Sequence, residues 1–89
     1  MPPKLELDTW SGDRRFARCV TSDGFDLRVG LMRDGRTFGW IVYRTETMAR
    51  VSWGDGAPSL EQARAEAVEA VAVERAEARR ELRRMRRAG

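Results

Sequence analysis

Apolar and polar residues alternate through the first two thirds of the chain and recur at helical spacing through the last third. Leu5, Leu7 and Thr9 alternate with Glu6 and Asp8, which predicts a short edge strand, and Ser11-Gly12-Asp13 then signals a turn. A strand follows over residues 15–21, and Ser22-Asp23-Gly24 breaks it. Phe25, Leu27, Val29 and Leu31 then alternate with Asp26, Arg28, Gly30 and Met32. A period of two gives this strand one core face and one wetter face. Asp34-Gly35 supplies the positive φ angles of a two-residue hairpin turn.

The next strand covers residues 36–44, with Phe38, Trp40 and Val42 on one face and Ile41 and Tyr43 on the other. Large side chains on both faces predict a central strand. After a turn at Thr45-Glu46-Thr47, residues 48–53 form the last strand. Gly54-Asp55-Gly56-Ala57-Pro58 is read as ending the sheet and delivering the chain to a helix. Ser59-Leu60-Glu61-Gln62 is a capping box, and no Gly or Pro follows until Gly89. Rich in Ala, Glu, Arg and Leu, the stretch predicts a helix over residues 60–87. At 100° per residue, Leu60, Ala63, Ala67, Val71, Ala78, Leu82 and Met85 share one stripe.

The expected fold is therefore α+β, one domain. Residues 1–58 form an antiparallel sheet of three to five strands, and residues 59–88 form a long helix packed on it. About 28 helical residues span roughly 42 Å, against roughly 26 Å for an eight-residue strand. The last three or four turns of the helix must overhang the sheet.

At 89 residues the core is thin, so an exposed apolar surface points to a partner or a second copy. The opening Met1-Pro2-Pro3-Lys4-Leu5-Glu6 has no apolar run, and the expectation is a soluble cytoplasmic protein with no membrane contact. The single cysteine, Cys19, lies in an alternating segment and reads as a small buried hydrophobe. There is no histidine, which removes the usual general base, the His-activated nucleophiles and the commonest metal ligand. No catalytic residue, metal site or cofactor is expected.

Charge divides the helix. Residues 1–58 carry nine basic and eight acidic side chains, so they are nearly neutral. Residues 59–74 have a net charge of −3 and residues 75–89 a net charge of +5. Acid early and base late suits the helix dipole. Glu77–Arg80 and Glu81–Arg84 add i,i+3 pairs. The dipole does not account for the number of arginines, since Arg75, Arg79, Arg83 and Arg87 follow at i,i+4, as do Arg80 and Arg84. Planar guanidinium forks on an overhanging helix suit phosphates or partner carboxylates.

These six arginines, with Trp10 in a turn region, are the candidate partner-binding residues. Ala78, Leu82 and Met85 are the candidate contacts of a homodimer. Trp40 is expected in the core and Trp53 over the start of the helix. Arg18, Arg28, Arg44 and Arg50 are expected on the open face of the sheet.

Three stretches carry a resemblance: Phe38-Gly39-Trp40-Ile41-Val42-Tyr43-Arg44, Ala49-Arg50-Val51-Ser52-Trp53-Gly54, and Ala57-Pro58-Ser59-Leu60-Glu61-Gln62-Ala63. Together they resemble the small sheet-then-helix proteins of bacteriophages and mobile elements. That group includes integrase arm-type DNA-binding modules and anti-CRISPR-like inhibitors. The resemblance implies a non-catalytic inhibitor or regulator that docks on a host protein or nucleoprotein complex. The second reading is an accessory DNA- or RNA-binding protein that uses the arginine-rich helix. The resemblance carries over no catalytic or binding residue.

Overall fold

A computed structural model describes residues 6–88. Five antiparallel strands form one meander in the order β1-β2-β3-β4-β5, and a single helix follows. The strands are β1 (Ser11–Gly12), β2 (Phe16–Val20), β3 (Phe25–Leu31), β4 (Phe38–Arg44) and β5 (Arg50–Ala57); the helix α1 runs Leu60–Ala88. The α+β class and the sheet-then-helix order are those expected from the sequence.

Turn chemistry sets the sheet register. Asp34 Oδ1 accepts hydrogen bonds from the Arg36 and Thr37 N–H groups at 2.9 Å each, and its Oδ2 accepts the Thr37 hydroxyl at 2.7 Å. The hairpin forms, but the closing pair is Met32 N–H to Thr37 C=O, so residues 33–36 make a four-residue loop instead of a two-residue turn. The Asp34 side chain holds two backbone donors beyond Gly35, which a two-residue turn has no room to present. Asp13 ties the chain in the same way ahead of β2, accepting from the Arg15 and Phe16 N–H groups.

Two boundaries differ from the sequence reading. The edge strand expected around Leu7 is absent. Residues 7–8 form a turn, fastened by the Asp8 N–H to Val20 C=O bond, and the short edge strand is instead Ser11–Gly12. Leu5 lies outside the described residues. At the other edge, Gly54-Asp55-Gly56-Ala57 continues β5, with Ala57 pairing Phe38. β5 pairs only with β4, so as an edge strand it tolerates glycine and the two irregularities in its register. Gly54 also has a positive reason to be there. A Cβ at that position would lie 2.7–2.9 Å from the Trp40 indole, so glycine leaves room for the ring.

The helix covers one face of the sheet. Ser59 Oγ caps it by accepting the Gln62 N–H at 3.1 Å. Ala63, Ala67 and Val71 are its buried residues, and their small size lets the helix lie close on β3, β4 and β5. Beneath them, Cys19, Phe25, Leu27 and Val42 form one cluster, and Val29 and Ala57 form a second with Ala63. Trp10 and Trp40 pack against both clusters and join them. Cys19 is buried as expected, and burial pushes its thiol up from its ordinary value.

Beyond Val71 the packing thins, and every residue from Glu77 to Ala88 is exposed. These twelve residues are just over three turns, about 18 Å of helix. Among the described residues no helix is long and apolar enough to cross a membrane.

Candidate functional site

Among the described residues nothing covers the face of the sheet opposite the helix, and the strand register arranges that face in rows. One row is Phe16–Gly30–Gly39, the next Arg18–Arg28–Ile41–Trp53, and the third Val20–Asp26–Tyr43–Arg50. Gly30 and Gly39 are paired and carry no side chain. Into that gap lean the Phe16 ring, 3.7 Å from where a Gly30 Cβ would stand, and the Met32 thioether above Gly39. The result is an open groove of about 410 Å³ lined chiefly by Phe16, Met32, Ile41 and Trp53, with Arg28 and Arg50 on its rim.

Trp53 is 61% exposed, the most exposed aromatic of the described residues. The Arg50 guanidinium lies 4.2 Å from its ring centroid, and Arg28 lies 5.1 Å from that of Tyr43. Cation–π contacts of this kind hold both the ring and the charge in place before anything binds.

A buried carboxylate anchors the rim. Asp26 is 1% exposed although it sits on the open face. Arg18 donates to it from Nε at 3.0 Å and Nη2 at 2.7 Å, and Arg28 from Nε at 3.4 Å and Nη2 at 3.0 Å. Burial alone would push the Asp26 carboxyl up, but the hydrogen bonds from Arg18 and then Arg28 outweigh it and hold it below its ordinary value. Its hydrogen bond in turn raises Arg18. Arg18 and Arg28 are direct cross-strand partners, and like charges in that position repel. Asp26 cancels one of the two charges. With Arg50, the rim stays net positive; Asp55 at the β5 end is the acidic residue on the groove lining.

The residues singled out from the sequence fall in three places. Arg75 is engaged within the fold. Its Nε and Nη2 donate to Asp23 at 2.6 and 2.9 Å, pinning the helix to the β2–β3 turn, and it lies 5.8 Å from the Phe25 ring centroid. Its hydrogen bond holds the Asp23 carboxyl well below the usual range. Trp10 is half-buried against the core, under the Arg64 guanidinium at 5.0 Å, and is no part of the open face. Arg79, Arg80, Arg83, Arg84 and Arg87 are all exposed on the overhang, as are Ala78, Leu82 and Met85.

Two expectations are corrected. Trp53 does not cover the start of the helix. Gly54 faces the Trp40 indole on the helix side, so its neighbour Trp53 points to the open side, opposite Ile41. Arg44 shares the face of Trp40 and Val42 and pairs with Glu74 of the helix at 3.5 Å, whereas Arg18, Arg28 and Arg50 are on the open face as expected. The groove itself went unread from the sequence. Its signals are the glycines at 30 and 39, one on each of two neighbouring strands, and the bulky Ile41 and Tyr43 on the face away from the core.

Among the described residues no group of three or more acidic or cysteine side chains converges as metal ligands would. No family model, curated protein or solved structure matches the chain.

Proposed function

We propose that this chain is a non-catalytic binding protein that docks on another protein through the open face of its sheet and acts by occupying that protein's surface. The observation that carries the reading is the groove between Phe16, Met32, Ile41 and Trp53, left uncovered while the opposite face is packed by the helix. Trp, Tyr and Arg are the residue types that dominate binding energy in protein interfaces, and here exposed Trp53 stacks with Arg50 beside the half-buried Tyr43–Arg28 pair. The positive rim selects for carboxylates. The fitting partner element is an apolar side chain flanked by Asp or Glu. Such a partner suits an inhibitor or regulator of the phage or mobile-element kind, acting on a host protein or on a nucleoprotein complex.

The test is affinity capture from nuclease-treated host extract with the wild-type chain and with Trp53→Ala. A protein retained by the wild type and lost with Trp53→Ala supports the reading. Equal capture by both chains contradicts it.

A further inference from the structure

We propose that the overhanging end of α1 is a second binding site, which seats in the major groove of duplex DNA and holds the phosphate backbone through Arg79, Arg80, Arg83, Arg84, Arg86 and Arg87. This site is independent of the open sheet face.

These six arginines are unoccupied by the fold. All are exposed, and the ion pairs formed among the described residues involve Arg18, Arg28, Arg44 and Arg75 instead. Among the described residues neither Glu77 nor Glu81 comes within ion-pair distance of an arginine, so the i,i+3 pairs expected from the sequence do not close. The helix dipole favours the two arginines of the last turn, Arg86 and Arg87, and its effect fades within a turn. Arg79, Arg83 and Arg87, and likewise Arg80 and Arg84, therefore stand as like charges at i,i+4, a spacing that is mildly destabilising. A polyanion removes that repulsion.

Spacing and shape narrow the choice of polyanion. From Arg79 to Arg87 is about 12 Å of axis, so six charges fall roughly one per 2 Å. Duplex DNA carries one phosphate charge per about 1.7 Å, close to the spacing of the arginines. Around the helix the six arginines cover an arc of about 160°, with Glu77 and Glu81 on one side of it and Leu82 and Met85 opposite. An arc that wide reaches both walls of a groove at once. The major groove of B-form DNA, about 12 Å across, admits an α-helix, whereas that of duplex RNA is too deep and narrow. The overhang is free of the sheet for about 18 Å, which lets it enter the groove without the body colliding with the backbone.

The experiment is fluorescence anisotropy of the full chain with a mixed-sequence DNA duplex of about 20 base pairs, titrated between 50 and 200 mM salt. Four to five phosphate contacts predict a slope of log K against log salt of about −3.6 to −4.5, a loss of roughly 150- to 500-fold over that range. Changing Arg79, Arg83 and Arg87 to Gln should flatten the slope by about 2.7 and weaken binding at low salt at least ~10-fold, with helicity by circular dichroism unchanged. Trp53→Ala should bind DNA as the wild type does. Absence of binding at 50 mM salt, an unaltered slope in the triple variant, or loss of DNA binding with Trp53→Ala would each overturn the proposal. Equal affinity for duplex RNA would overturn the groove seating.

Discussion

Replacing Asp26 by Asn tests whether the carboxylate beneath Arg18 and Arg28 holds the open face together. The native carboxylate accepts four hydrogen bonds from two guanidiniums while almost fully buried. Asn keeps the shape but loses the charge. It offers one acceptor oxygen and turns an amide donor toward a guanidinium. Charged hydrogen bonds contribute about 1.5–3 kcal/mol each, and removing one partner of a buried pair costs about 3–5 kcal/mol. The arginine side chains are 39% and 35% exposed, so they can swing into water and recover part of that loss. The expected net cost is about 2 kcal/mol, including the restored Arg18–Arg28 repulsion.

With a urea m-value of about 1 kcal/mol/M, the unfolding midpoint followed by tryptophan fluorescence should fall by about 2 M. The pH dependence follows from the sign of the shift. The Asp26 carboxyl titrates below its unfolded value of about 3.9. The stability it contributes is fully present above that value and is lost as pH falls through the folded value. The gap between wild type and Asp26→Asn should therefore shrink as pH drops below about 4. Asp13, Asp23 and Asp34, also held low, are common to both proteins and cancel in the difference. A cost under about 0.5 kcal/mol at neutral pH, or a gap that stays constant into acid, would rule out this role for the Asp26 carboxylate.

Further expectations concern the helix. Ala67, fully buried where α1 meets the sheet, has no room for a larger residue, so Ala67→Leu should destabilise by about 1–3 kcal/mol in the same urea assay. Ser59→Ala removes the cap on the Gln62 N–H and should cost about 1 kcal/mol. The Arg75–Asp23 pair is half-exposed, so Arg75→Gln should cost under about 1 kcal/mol. Hydrogen exchange should find the amides of residues 77–88 barely protected, since all twelve residues are exposed. Protection there that grows with protein concentration would instead reveal pairing of the overhangs through Ala78, Leu82 and Met85.

Period-two alternation made β3 and β4 legible, because each has a face that must be buried. The capping box and the absence of helix breakers likewise placed α1 within a residue or two of its observed ends. The misreadings lie where local propensity and long-range pairing disagree. Gly54 and Gly56 look like strand breakers, but at a sheet edge Gly54 is required by the bulk of Trp40, ten or more residues away in sequence. That error moved the end of β5, and with it the face assigned to Trp53. The engagement of Arg75 with Asp23 joins residues 52 positions apart, which helical spacing cannot reveal. The arginine overhang was legible because it follows from length and charge alone.

The proposed docking of a protein partner on the open face of the sheet can be tested in place. The most direct measurement places a photo-crosslinking residue at Tyr43, beside the groove, in the otherwise native chain and irradiates it in nuclease-treated host extract. The expected result is one discrete crosslinked partner, lost when Trp53→Ala is added and kept when Arg79, Arg83 and Arg87 are changed to Gln. Crosslinking that ignores Trp53→Ala, or that disappears with the helix variant, would contradict it.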